Sequence, residues 1–236
     1  VYQKVVGYWS QIGQDINGET AGDFSGFSVS LSADGSILAI GAYNNDGTGS
    51  NAGHVRVYQN VGGTWTQVGV DINGEAANDQ SGYCVSLSAD GTTLAIGARW
   101  NDGAGANAGH VRVYQNVGGT WTLVGSEING EAAGDESGYS VSLNTDGSIL
   151  AIGARYNDGN GSNSGHVRVY QNVGGTWTQI GSEINGEAAN DQSGYCVSLS
   201  AGGDTLAIGA RWNDGAGANA GHVRVYNFNG TAWTQL

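Results

Sequence analysis

The sequence predicts an all-β fold, a β-propeller built from four-stranded antiparallel blades, with four blades in this chain. Three observations lead there: a glycine-rich composition without proline, a repeat of 56 residues, and four short alternating segments inside each repeat. Glycine supplies 43 of 236 positions and proline none, so long helices are disfavoured from the start. An apolar content of 39% and the lack of a three-residue period exclude collagen and argue against disorder.

The repeat fixes the architecture. Gly-His-Val-Arg-Val-Tyr begins at Gly53, Gly109, Gly165 and Gly221, always 56 residues apart, and Trp9, Trp65, Trp121, Trp177 and Trp233 keep that spacing. Residues 1–12 align with residues 225–236, so the chain reads as four units plus an overlap. A longer period lies on top, because segments 67–112 and 179–224 differ at only five positions. Duplication of a two-unit block, in nature or by a designer, accounts for it.

Within one unit the elements follow in order. Residues 83–88 alternate, with Val85 and Leu87 on one face and Ser86 and Ser88 on the other, which is the signature of a strand. Ala89-Asp90-Gly91 makes a tight connection to a second strand at 93–98, where small residues are interleaved. An Asn-, Asp- and Gly-rich loop leads to a third strand at 110–114, and a turn at 116–119 leads to a fourth at 120–124 around Trp121. Four antiparallel strands repeated in tandem describe a propeller blade. Small residues then belong near the axis, and Trp belongs at the wide outer rim. One unit is too small to cover both faces of its sheet, so blades must lean on one another. We place a single domain at 1–236, with an outer strand and crossover at 1–26 and blades at 27–66, 83–122, 139–178 and 195–236.

The string Ser81-Gly82-Tyr83-Cys84-Val85-Ser86-Leu87, then Asp90-Gly91, Leu94-Ala95-Ile96-Gly97-Ala98 and Gly109-His110-Val111-Arg112-Val113-Tyr114 resembles the FG-GAP repeat of integrin α-subunit propellers and their bacterial relatives. The pattern recurs in all four units. The resemblance implies four-stranded blades, usually seven to a ring, in extracellular adhesion or ligand-binding proteins. This sequence departs from that family at three places. Ser-Gly-Tyr or Ser-Gly-Phe stands where Phe-Gly is expected, and Tyr43, Arg99, Arg155 and Arg211 stand where proline is expected. The family's calcium loop between the first and second strands has shrunk to Ala33-Asp34-Gly35 and its copies, with Gly202 in the place of Asp90.

The Trp-bearing strand occurs five times against four copies of the others, which leaves three arrangements: a four-bladed ring with a spare strand, two chains in an eight-bladed ring, or a stretch of a longer array. The missing initiator methionine favours the last or processing, and self-association into a larger ring or array is expected.

Candidate chemistry is repetitive. His54, His110, His166 and His222 recur once per blade; either they ring the axis and hold a metal, or they tie down a neighbouring loop by hydrogen bonds, and third strands lying away from the axis favour the second. The loops at 44–51, 101–107, 157–163 and 213–219 carry Asp46, Asp102, Asp158 and Asp214 among Asn and Gly, an oxygen-rich setting for Ca2+, although Asn-Asp-Gly is also ordinary turn chemistry. Next to them Tyr43, Arg99-Trp100, Arg155-Tyr156 and Arg211-Trp212 could stack on a sugar. The competing use is packing between blades, with arginine paired to an acidic crossover residue such as Glu131 or Asp135. Cys84 and Cys196 sit two blades apart, too far for a disulfide, and read as small buried side chains. Asn160-Gly161-Ser162 and Asn229-Gly230-Thr231 match glycosylation acceptors.

No nucleophile elbow or phosphate-cradling loop is present, and every acid or base recurs in several copies, whereas catalysis usually needs one asymmetric constellation. No enzyme is expected. A net charge of −13 repels nucleic acid, and no apolar run is long enough for membrane insertion. The expected function is a non-catalytic extracellular or cell-surface interaction module that meets proteins or glycans. The rival is a lectin-like carbohydrate-binding propeller assisted by calcium, and a further alternative is a designed repeat without a native ligand.

Overall fold

The computed structural model describes residues 1–236, and every regular element in it is a strand. Blade 1 is built from Ser28–Leu31, Ile37–Ala42, His54–Val61 and Thr64–Gln67. Blade 2 follows with Ser81–Leu87, Thr93–Ala98, His110–Val117 and Thr120–Leu123. Blade 3 comprises Ser137–Leu143, Ile149–Ala154, His166–Val173 and Thr176–Gln179. Blade 4 ends the chain with Ser193–Leu199, Thr205–Ala210, His222–Phe228 and Trp233–Gln235. In each sheet the strands lie in chain order and pair antiparallel. The crossovers add pieces that the alternation does not reveal: Ile72–Asn73, Ile128–Asn129 and Ile184–Asn185 pair with the start of the third strand. Two residues are too few to carry a periodic signal.

First strands lie innermost and bond directly from blade to blade. Ser28 and Ser30 Oγ accept the amides of Val85 and Leu87 at 3.0 and 2.9 Å, and Ser86 and Ser142 do the same for Leu143 and Leu199 at 3.0 Å each. This use explains the polar face of those strands. The glycine of Leu-Ala-Ile-Gly-Ala has a comparable reason, because a Cβ on Gly97 would run into the carbonyl of Gly138 in the next blade.

The apolar core lies between sheets rather than inside any one of them. Val55 and Val57 of blade 1 pack with Val85, Leu87, Leu94 and Ile96 of blade 2. Val111 and Val113 meet Val141, Leu143, Leu150 and Ile152, and Val167 and Val169 meet Val197, Leu206 and Ile208. At about 25 cal/mol per Å2 of apolar surface, these three interfaces are the main stabilising contribution.

A closed four-bladed ring does not form. The amides of Ala33, Ala89 and Thr145 donate to the carbonyls of Ala89, Thr145 and Ala201, and this ladder stops at blade 4 without returning to Ala33. Full face-to-face packing gives a narrow wedge between sheets, while a ring of four would have to splay them by about 90° and open the core. The molecule is therefore an open arc. The surplus strand belongs to a hairpin, Tyr2–Val5 with Tyr8–Gln11, which packs on the outer part of blade 1 through Val1. Trp65 Nε1 donates to the Ile12 carbonyl at 2.9 Å, as Trp121, Trp177 and Trp233 donate to Val68, Val124 and Ile180 at 3.1 Å. The hairpin thus fills the slot of the outer strands of a preceding blade.

Candidate functional site

Two repeated constellations gather the chemistry-bearing side chains. The first runs along the inner edge of the arc. Phe27, Tyr83, Tyr139 and Tyr195 stand at or next to the starts of the first strands, with neighbouring ring centroids 4.9, 5.0 and 5.0 Å apart. The guanidinium of Arg99 lies 3.9 Å from the Tyr83 ring and 4.5 Å from Trp100. Arg155 lies 4.0 Å from Tyr139 and 4.2 Å from Tyr156, and Arg211 lies 4.1 Å from Tyr195 and 5.0 Å from Trp212. Tyr43 has no arginine and instead stacks on Phe24 at 5.5 Å and meets Phe27 edge-on at 4.7 Å. Each arginine is therefore sandwiched between the tyrosine of its own blade and the aromatic that follows it in sequence, an arrangement worth up to about 2 kcal/mol when desolvated.

The acidic partner of Arg99 and Arg155 is Glu136, not Glu131 or Asp135, while Arg211 Nη1 donates to the Tyr195 hydroxyl at 2.8 Å. Arg155 Nε donates to Glu136 Oε2 at 2.9 Å, Arg99 Nη1 lies 3.9 Å from the same oxygen, and Trp100 Nε1 donates to Oε1 at 3.0 Å. Burial works against the Arg155 charge, yet the Glu136 bond and charge outweigh it and raise its pKa. Burial also raises the Tyr139 hydroxyl, helped by Tyr195 and Tyr83 beside it. Glu136 occupies a left-handed backbone position, φ 54°, which Phe24, Gln80 and Gln192 fill in the other units. The signal for it in the sequence is the single carboxylate at that place in the repeat.

Asp46, Asp102, Asp158 and Asp214 each close their own loop, accepting the amides of Asn51, Asn107, Asn163 and Asn219 at 2.6 to 2.7 Å. They lie one per loop and are not brought together. A second set, spaced by the same 56 residues in the sequence, is buried. Asp23, Asp79, Asp135 and Asp191 accept from the amides of Asn45, Asn101, Asn157 and Asn213 at 2.8 to 3.1 Å and pin each loop to its crossover.

The second constellation surrounds the histidines. His54 Nδ1 lies 3.9 Å from both Glu19 and Asp71, and His110, His166 and His222 lie 3.6 to 3.7 Å from Glu75, Glu131 and Glu187. The hydrogen-bond tether expected of these imidazoles is missing in all four blades, and at His110 both ring nitrogens are buried without a partner. Burial, with Arg112 and Arg168 adding to it, lowers His110 and His166 to a pKa of about 3, so both are neutral. Glu19, His54 and Asp71, and again Glu75, His110 and Glu127, place ligand atoms within 4.8 Å of one another. Those sets have the donors for a divalent cation, but Arg56 and Arg112 already stand 3.6 to 3.7 Å from their glutamates. Arg112 Nη2 also donates to the Asn73 carbonyl at 2.7 Å, which makes the group a clamp between crossover and third strand. Cys84 is half-buried and burial pushes its thiol up to about 11, whereas Cys196 is exposed rather than buried because no blade covers its side of the sheet.

Sequentially ordered four-stranded sheets, packed face to face in an arc with their first strands inside, define a propeller-type repeat protein. The chain belongs to the FG-GAP repeat family, whose model matches residues 17–58, 73–114, 129–170 and 185–226. No curated protein matches it in sequence. Among solved structures it is similar to the Pseudomonas aeruginosa periplasmic gluconolactonase PpgL, with 18% identity and a TM-score of 0.60 over 89% of this chain and 55% of that one. It is likewise similar to KlAtg21 in its complex with the coiled-coil of AgAtg16, with 15% identity and a TM-score of 0.60 over 89% of this chain and 56% of that one. A third is a 6-phosphogluconolactonase-like protein from Bacteroides fragilis, with 15% identity and a TM-score of 0.57 over 87% and 55%. The chain spans about half the length of these structures, and the likeness is one of fold.

Proposed function

We propose that the chain is a non-catalytic propeller module of the cell surface or extracellular space that engages protein partners in the manner of an adhesion domain. One observation carries this reading: the acids, bases and arginines that come together recur blade after blade and are spent on holding blades, loops and crossovers. Arg56, Arg112, Arg168 and Arg224 each donate to a crossover carbonyl at 2.7 Å and the loop aspartates are engaged by their own backbone, while Glu136, present once, is spent on Arg155. Catalysis usually needs one asymmetric constellation, so such a repeated set supports recognition over turnover. Loops tied this way form a stiff row of equivalent polar tips, a geometry suited to multivalent contact. Strong acidity and a single lysine fit an exposed, soluble surface.

The test is binding of the full chain to a glycan array and a panel of cell-surface proteins, with calorimetry in Ca2+ and in EDTA. We expect retention on protein and neither sugar retention nor calcium heat. Sugar retention that needs Ca2+ and is lost in the Trp100→Ala/Trp212→Ala variant establishes the lectin-like reading instead. Hydrolysis of a lactone would overturn the non-catalytic one.

A further inference from the structure

Independently of that reading, the two ends of the arc are complementary. Blade 4 presents to solvent the surface that blades 1, 2 and 3 each press onto the next blade. Blade 1 presents the surface that blades 2, 3 and 4 press onto the previous one. Val223 is 66% exposed where Val111 is 0%, and Val29 is 60% exposed where Val85 is 6%. We propose that a second copy of this chain covers these faces, blade 4 of each copy seating on blade 1 of the other, to close an eight-bladed ring.

The matching is position by position. Gly209 is the counterpart of Gly97 and Gly153, which lie against the carbonyls of Gly138 and Gly194. Its own partner in the repeat is Gly26, and both are open in the single chain, with nothing near a Cβ on Gly26 and only Cys196 near one on Gly209. Cys84 Sγ receives the Val141 amide at 3.4 Å and Ser142 Oγ receives the Leu199 amide at 3.0 Å. Cys196 and Ser198 therefore offer the same acceptors to the amides of Val29 and Leu31. The aromatic row continues from Tyr195 to Phe27, and exposed Trp212 meets exposed Phe24 as Trp100 meets Glu136. Apolar Phe24 replaces the polar residue found there in the other units, as an end that must bury a tryptophan requires.

Two chains of four blades make eight, and the angles between neighbouring blades are in keeping with that number. Ring planes of the inner aromatics differ by 43°, 44° and 47° from blade to blade. A ring of eight needs about 45° between neighbours, close to these angles. Four blades then cover half a circle, and a face-to-face contact that closes under a two-fold axis makes a finite dimer instead of a filament. The hairpin at 1–12 occupies part of the blade 1 face and gives way to residues 225–236 of the second copy, its repeat equivalents, with Leu236 taking the place of Ile12 as the acceptor for Trp65.

Sedimentation velocity of the full chain at about 0.15 M salt, over about 1 to 100 µM, tests this. The expected result is a species of twice 24.1 kDa whose share rises with concentration. Gly209→Ala adds a methyl that meets only Cys196, at 3.7 Å, so its melting curve is unchanged at concentrations where the parent is single, and its dimer is lost at higher ones. Val223→Lys, on an exposed side chain, repeats the test if Gly209→Ala fails to fold. A chain that stays single at every concentration, a ladder of species beyond two, or variants that dimerise like the parent would each overturn the proposal.

Discussion

The interface between blades 2 and 3 and the free face of blade 4 are made of nearly the same residues in opposite circumstances. Segments 67–112 and 179–224 differ at five positions, yet Cys84 is half-buried and Cys196 exposed, and Val111 is buried where Val223 is not. Even the histidine follows suit, since the His110 side chain is enclosed and that of His222 is partly open. The difference lies in the neighbour. A propeller blade is an apolar sheet on both sides, and its environment is supplied by the next blade rather than by its own sequence.

The comparison is open to three experiments, the strongest first. Gly97→Ala forces a methyl against the Gly138 carbonyl and should cost about 2 to 3 kcal/mol, lowering the melting temperature by several degrees. The same change at Gly209, at protein concentrations where the parent is single, should lie within about 0.5 kcal/mol. Equal losses at the two sites, read by calorimetry, would break the distinction between closed and open faces.

The second uses protons. His110 and His166 titrate near 6.5 when unfolded and at about 3 when folded, so below pH 6.5 the unfolded chain takes up protons that the folded chain refuses. Stability contributed by their neutrality is complete above pH 6.5 and is lost progressively as the pH falls toward 3. Melting temperatures between pH 7 and pH 4 should therefore fall more steeply in the parent than in a His110→Gln/His166→Gln variant. Identical slopes would show that these imidazoles do not drive the acid response.

The smallest effect is chemical and leaves stability alone. At neutral pH and low protein concentration a thiol reagent should modify Cys196 promptly, while Cys84, half-buried and with its thiol raised to about 11, reacts far more slowly. Equal rates, followed by mass spectrometry of the two peptides, would mean that the blade 2 to blade 3 contact opens freely.

Much of the blade was legible before any coordinates. Alternation at 83–88 and 93–98 gave strands close to Ser81–Leu87 and Thr93–Ala98, because a sheet with one polar and one apolar face repeats every two residues. The loop aspartates and the arginine–aromatic pairs were visible as repeated motifs. Glu136 as the shared partner of Arg99 and Arg155 was not, nor were the crossover strands such as Ile128–Asn129 or the pinning of Asn157 by Asp135. Those contacts join residues from different blades or crossovers, and no local pattern encodes which carboxylate a guanidinium will reach.

The 56-residue repeat by itself determined the all-β class, the four-stranded unit and its chain-order pairing, since these follow from local alternation and short turns. Whether four such units close on themselves was decided only in three dimensions. The turn between sheets is set by how side chains from two blades fill one wedge, a quantity that belongs to the pair and is written in neither unit alone.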